Sequence, residues 1–216
     1  EERLITMYKQ GDGFFWIGGP GEEAFNVPLG LLVDKGAGVD HDYLHLHYRS
    51  SATLLAMGAD PVDSLRQMKN TATDPYSQGR NVAGHYSRRE WNLVPVSSPI
   101  EVQFSIAIGT AHAQRRGTGA KGVTIVQGGD AGSAEGDFAT ALVWSSRRGH
   151  ELPMLMIVTN NRYGISTPFE GQHGYDHVSD RGKPHNMPTV VVDGNDPEAS
   201  WAALQTALHY VRTERK

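Results

Sequence analysis

The chain has 216 residues, 38% of them apolar, enough to bury the core of one domain. Its formal net charge of -4 comes with no run of like charge: the pairs Arg88-Arg89, Arg115-Arg116 and Arg147-Arg148 are dispersed, which fits solvated helix faces and argues against nucleic acid. The absence of cysteine excludes disulfides, thiolate metal sites and cysteine nucleophiles, and no apolar run approaches the ~18 residues of a membrane helix.

The start, "EERLITMYKQ", reads as a helix to about Gln10 and lacks the profile of a signal peptide, so a soluble protein of the cytoplasm, or of the mitochondrial matrix in a eukaryote, is expected. "PGEEAFNVPLGLLV" reads as a second helix, with Glu22 and Glu23 in its first turn where carboxylates suit the dipole. "PVDSLRQMK" is a third, opened by Pro61. Residues 70–97 are rich in turn formers and poor in periodic apolar positions, which predicts a long ordered loop, a type of segment usually kept for function.

Beyond "VSSP", Ile100, Phe104, Ala107, Ile108 and Ala111 fall at helical spacing, with Gly109 expected to allow close packing. "GVTIVQG" then reads as a buried strand, residues 135–149 as a helix, "PMLMIVT" as a second buried strand, "TVVVDG" as a third, and "DPEASWAALQTALHYVRTERK" as a closing helix. Apolar strands alternating with helices predict an α/β fold: a doubly wound parallel sheet with helices on both faces. The chain begins inside one helical pattern and ends inside another, as a piece of a longer polypeptide would.

A right-handed crossover over residues 123–159 makes its two strands parallel. Asp130 then lies just past the carboxyl end of one strand and Asn160-Asn161 just past that of the next, the edge where open parallel sheets bind ligands. A carboxylate, an amide oxygen and a backbone carbonyl form a hard-oxygen set suited to magnesium (Mg2+), which also takes phosphate oxygens. Gly128, Gly129, Ala131, Gly132 and Ala134 leave room for a diphosphate against the backbone, and the next helix points its N–H groups at it. A tight strand-to-helix turn with an acidic cap is the other reading of the loop alone. His41 and His45 have helical spacing, but no third ligand follows at a zinc-like distance.

"GGDAGSAEGDF" followed about thirty residues later by "TNNRYGIST" resembles the thiamine-diphosphate motif, in the form found in the α subunit of the dehydrogenase component of 2-oxo acid dehydrogenase complexes. "GEEAFNVPLG", "HYRS", "GRNVAGHYS", "SSPIEVQ" and "VDGNDPEA" agree with that family in order, so the likeness covers essentially the whole chain. It implies the thiamine-diphosphate-binding fold and a single diphosphate- and magnesium-binding domain over residues 1–216, without the family's C-terminal part and its histidine-bearing loop. By resemblance, Asp130, Asn161 and the backbone of Tyr163 hold the magnesium. Tyr48 and Arg49 contact the diphosphate, Ser98 and Ile100 contact diphosphate or thiamine, and Gly129 and Ala131 are close-approach positions. His85 matches a histidine near the reacting end of the cofactor; a loop histidine bonded to backbone is the alternative. Glu135 and Asp137 are expected to cap a helix N-terminus rather than activate the cofactor.

The family pattern departs in places. Ala131 stands where glycine is commoner, which requires that its φ be negative. "SSRRGHE" lengthens the segment before the asparagines, expected as extra helical residues, and Val102 replaces a hydroxyl residue that in relatives helps hold potassium. The resemblance implies oxidative decarboxylation of a 2-oxo acid, with "GEEA" leaning to the branched-chain over the pyruvate type, and acyl transfer to a lipoyl group. A β subunit would complete the site in an α2β2 assembly on a lipoyl acyltransferase core. The alternatives are a transketolase-type thiamine enzyme and a non-catalytic truncated subunit.

Overall fold

A computed structural model describes every residue except residue 118. The first helix, α1 (Glu2–Lys9), buries Leu4 against Met68 and Ala83 in a small satellite cluster. The second, α2 (Glu23–Leu32), begins one residue after Glu22 and buries Phe25 and Leu29. Two short elements then follow that the sequence pattern does not announce: strand β1 (Tyr43–His45) and helix α3 (Ser51–Ala56). Gly30 lets α2 press onto α3, since a Cβ there would collide with the Thr53 carbonyl. Helix α4 (Pro61–Met68) starts as expected, with Pro61 at its first position and Asp60 accepting from Val62 N at 2.9 Å.

Residues 70–97 hold no α-helix and no strand, but they are pinned to the sheet. Leu44 N donates to Asn92 O, and Val94 N to Leu44 O, both at 3.0 Å, so residues 92–94 run as a short neighbour of β1. Helix α5 (Val102–Arg116) buries Phe104, Ala107 and Ala111 completely. Ile100 lies before its first turn and is 63% exposed. Gly109 has nothing within 4 Å of a Cβ built on it, so the close packing expected there does not occur: the glycine sits on the solvent side of the helix.

Strands β2 (Thr124–Gly129) and β3 (Met154–Thr159) pair in parallel, and β1 pairs parallel on the other side of β2, giving the order β1-β2-β3. As the middle strand, β2 is buried at every residue. Ile125 meets Leu204, Leu208 and Val211 on one side, while Val126 joins Phe104, Phe138 and Ala141 in a second cluster. Each fully buried aliphatic side chain of this kind contributes roughly 1.5–3 kcal/mol.

Between the strands lies α6 (Gly136–Ser145), four residues shorter at its end than expected. Leu152 N donates to Ser145 O at 2.9 Å and Gly149 takes φ 74, so "SSRRGHE" forms the turn into β3 instead of lengthening the helix. A small hairpin of β4 (Tyr163–Gly164) and β5 (Thr167–Pro168) follows. The valine run 189–194, expected as a strand, makes no ladder; Val190 and Val191 are 63% and 58% exposed and line a groove of about 1770 Å³ shared with β3. The run shares that groove with β3, whose outer edge is unpaired among the described residues, yet forms no ladder with it, so strand composition alone does not make a strand. The last helix, α7 (Pro197–Glu214), is capped by Asp196, which accepts from Glu198 N and Ala199 N.

Candidate functional site

The register of the sheet builds the site. Gly129 at the end of β2 faces Thr159 at the end of β3, and Asp130 N donates to Thr159 O at 3.1 Å. Asp130 and Asn160 therefore leave the sheet side by side, as the crossover reading of the sequence requires. Asp130 is 1% exposed, and its carboxylate Oδ2 has no hydrogen-bond partner among the described residues. Its backbone carbonyl accepts from Ser133 Oγ at 2.6 Å and from His173 Nε2 at 3.0 Å. A carbonyl only accepts, so Nε2 carries the proton and Nδ1 accepts from the Tyr175 hydroxyl at 2.9 Å. His173 was not singled out from the sequence, since nothing marks a histidine forty residues downstream as a partner of this loop.

After β3 the two asparagines turn the chain. Asn160 Oδ1 accepts from Arg162 N and Asn161 Oδ1 from Tyr163 N, each at 3.0 Å, and Arg162 sits at φ 65. The hairpin is pressed onto the acidic loop: a Cβ on Gly164 would stand 2.6 Å from the Ala131 methyl. Asn161 and Tyr163 thus flank the loop from the solvent side, with Tyr163 59% exposed. Ala131 has φ -60 and ψ -44, so a methyl group in place of the commoner glycine costs no backbone strain. Glu135 does sit at the N-cap of α6, but its side chain makes no capping bond. Asp137 instead accepts from Ser105 Oγ, tying α6 to α5.

Arg49 reaches the same loop from the other side. Its Nη1 is buried without a partner and lies 3.3 Å from where a Gly129 Cβ would be. Its Nε is 3.6 Å from Glu22 Oε1, and its guanidinium carbon stands 4.9 Å over the Tyr48 ring. The neighbouring Ser50 donates to Gln127 Oε1 at 2.8 Å, and Gln127 Nε2 in turn donates to Asn26 Oδ1, locking this turn onto β2. Burial raises the Glu22 carboxyl above the usual range, partly offset by Arg49. Burial also raises the Tyr48 hydroxyl, against the same arginine.

The residue sequence reasoning missed is Glu101. It is 2% exposed, sits at φ 61 immediately before α5, and its Oε1 accepts from Gly129 N at 3.0 Å while Oε2 has no partner. Burial pushes its carboxyl up to about 7, opposed by the Gly129 bond and by Arg49 and aided by the nearby Asp130 and Glu135. A glutamate before a helix is unremarkable as a letter; its left-handed conformation is what marks it.

His85 and Ser98 are brought together. His85 is 7% exposed, with Nδ1 3.2 Å from Ala83 O and Nε2 2.8 Å from Ser98 Oγ. The Ala83 carbonyl fixes the proton on Nδ1, so Nε2 accepts from the serine hydroxyl. The loop carrying His85 packs on Tyr48, because a Cβ on Gly84 would stand 3.1 Å from the Tyr48 Cβ. Ile100 projects to solvent on the same segment. The discounted zinc reading is absent from the geometry: His41 Nδ1 pairs with Asp34 at 3.2 Å, and His45 Nε2 with Thr110 Oγ1 at 2.9 Å.

Four ionisable side chains, Glu22, Arg49, Glu101 and Asp130, each keep a buried polar atom without a partner among the described residues around one glycine loop. Buried charges normally find partners, so this set is explained by something that supplies both signs. A divalent cation answers Asp130 Oδ2, and an anion with several oxygens answers Arg49 Nη1. Magnesium with a diphosphate has both, and on that chemistry the residues present fit the group.

The fold and this edge define an α/β protein with a candidate ligand site at the carboxyl edge of a parallel sheet. The whole chain, residues 1–216, matches the family described as Dehydrogenase E1 component, and it belongs to that family. It is 32% identical over 213 residues to the 2-oxoisovalerate dehydrogenase subunit alpha of Bacillus subtilis, covering 98% of this chain and 62% of that protein. The mitochondrial 2-oxoisovalerate dehydrogenase subunits alpha of Caenorhabditis elegans (29% over 212 residues, 98% of this chain, 47% of that one) and Bos taurus (30% over 204 residues, 94% and 43%) are also similar. The chain thus spans about half the length of the curated relatives it matches.

Proposed function

We propose that the chain is the diphosphate- and magnesium-binding part of the α subunit of a thiamine-diphosphate-dependent 2-oxo acid dehydrogenase, acting on branched-chain 2-oxo acids in oxidative decarboxylation with acyl transfer to a lipoyl group. The observation that carries the reading is the sheet register: Gly129 opposite Thr159, with the partnerless Asp130 carboxylate beyond one and the asparagine pair beyond the other. The branched-chain substrate rests on the 2-oxoisovalerate named for the relatives.

In this reading Asp130 Oδ2, the Asn161 amide oxygen and the Tyr163 carbonyl are the metal ligands. Asn161 Oδ1, which accepts from Tyr163 N, would give up that bond for the metal or serve both with the one oxygen. Arg49, backed by Tyr48, holds the diphosphate with Gly129 and Ala131 beneath it, and Ser98 and Ile100 bound the passage toward the thiamine. When bound, the cofactor supplies the electron sink that decarboxylation of a 2-oxo acid needs. His85, its Nδ1–H tied to the Ala83 carbonyl, would accept and return a proton at Nε2 beside Ser98. The unit reads as one domain of the doubly wound thiamine-diphosphate-binding fold. Its partners are a β subunit in an α2β2 assembly and a lipoyl acyltransferase core, in the bacterial cytoplasm or the mitochondrial matrix. No helix among the described residues is long and apolar enough to cross a membrane.

Calorimetric titration of thiamine diphosphate with magnesium, the β subunit present, tests it. Saturable binding that Asp130→Ala abolishes is expected; no binding, or binding indifferent to that change, overturns it.

A further inference from the structure

The glycines that make the loop a cradle for an anion are already covered by a side chain of the protein itself. A Cβ on Gly128 or on Gly132 would collide with the Glu101 carboxylate, and Gly129 N donates to Glu101 Oε1 at 3.0 Å. Glu101 is 2% exposed, and its Oε2 points into the cradle without a partner. To get there the backbone takes φ 61 and ψ 3, a left-handed conformation that a glutamate adopts only when its surroundings hold it. Arg49 Nη1 lies over the same loop at Gly129, and the arginine's charge partly offsets the burial of the Glu101 carboxyl.

We propose that Glu101 is an internal stand-in for the diphosphate: its carboxylate takes the Gly129 N–H and the space above Gly128 and Gly132, so an incoming diphosphate must turn it aside, and Glu101 thereby sets the affinity of the site. This rests on the thiamine-diphosphate reading. A diphosphate brings oxygens to the same amide and the same volume, and two anions do not share them. Turning the side chain out costs the charge-assisted bond to Gly129 N, and the bound anion gains that bond only in exchange. Glu101 is a specificity-determining residue here: a ligand without strong anionic oxygens cannot displace it.

The test is the dissociation constant of thiamine diphosphate with saturating magnesium and the β subunit present, measured for the wild-type chain, Glu101→Gly and Glu101→Gln. Glycine relieves the left-handed backbone and empties the cradle; glutamine keeps the volume and removes the charge. Glycine is expected to bind about ten-fold tighter or more, the worth of one charge-assisted hydrogen bond no longer exchanged, and glutamine tighter by less, since its neutral oxygen can still accept from Gly129 N. Melting temperatures of both variants at or above wild type establish that they fold, and the pair keeps the test open if one does not. Wild-type binding that both changes leave unaltered or weaken overturns the inference alone; weakening would make Glu101 a ligand of the metal instead of a competitor. Binding by none of the three chains overturns this inference and the proposed function together.

Discussion

Arg212 on α7 grips Asp42 ahead of β1 with both arms, Nη1 to Oδ1 and Nη2 to Oδ2 at 2.7 Å each. Asp42 is fully buried and also accepts from Asp34 N at 2.9 Å and Val123 N at 3.1 Å, so one carboxylate ties the last helix, the end of α2 and the entry to β2 together. The hydrogen bond to Asp42 raises the Arg212 guanidinium still further above its ordinary range. Asp42→Ala strands two backbone N–H groups and a guanidinium at once, and is expected to cost about 3–5 kcal/mol. Arg212 is partly solvated, so Arg212→Ala is expected to cost less, roughly 2 kcal/mol. Urea unfolding of both variants checks the order; equal costs would mean that the backbone bonds of Asp42 contribute nothing.

Arg49 keeps an unpartnered Nη1 over Gly129 while Glu22 steadies its Nε. Arg49→Ala is expected to weaken thiamine diphosphate binding by about ten- to one-hundred-fold, the range of a charge-assisted contact. Arg49→Lys recovers little, because an ammonium cannot lie flat on the Tyr48 ring, hold Glu22 and reach over Gly129 together. Calorimetry of the three chains at one salt concentration decides it, and full rescue by lysine would show that charge alone is needed.

Strands β2 and β3 were legible because "VTIV" and "MLMIV" are strand-length runs, apolar but for Thr124, and with a right-handed crossover they put Asp130 and Asn161 at one edge. Strand β1 was not legible: Tyr43-Leu44-His45 is three residues long, and His45 is buried by pairing with Thr110 rather than by being apolar. Helix α3 has six residues and no side-chain cap, too short for a period to show. The run "TVVVDG" has strand composition but no partner along its backbone. At the site, the loop letters announced small residues and acids, while the role of Glu101 depends on a dihedral angle and on what its carboxylate covers. Neither is written in the order of letters.

His85 keeps Nδ1 on the Ala83 carbonyl and Nε2 on Ser98. If it serves proton transfer, His85→Asn, whose amide can still donate to that carbonyl, lowers turnover of the assembled enzyme by about 10²-fold or more with little change in cofactor affinity. A purely structural histidine would leave the asparagine variant near the wild-type rate, and steady-state kinetics beside a binding titration separates the two.

Acid stability tests the buried histidines and Glu101 against each other. Burial lowers His45 to about 4, so it is neutral in the fold while the unfolded chain protonates near 6.5. The stability it carries is complete above pH 6.5 and is lost as pH falls toward 4; His47, lowered to about 3 by burial, adds in the same direction. Glu101 runs the other way. Its carboxyl titrates near 7 in the fold and near 4.5 when unfolded, so stability is lost as pH rises from 4.5 to 7. Between pH 4.5 and 6.5 the glutamate therefore offsets part of the histidine loss. Glu101→Gln removes that offset: relative to wild type it is expected to gain on the order of 2 kcal/mol at pH 7.5 and almost nothing at pH 4.5, a steeper fall on acidification. His45→Gln should flatten the same profile. Urea midpoints at pH 4.5, 6 and 7.5 read both slopes, and parallel curves for wild type and Glu101→Gln would show that folding does not raise the Glu101 carboxyl.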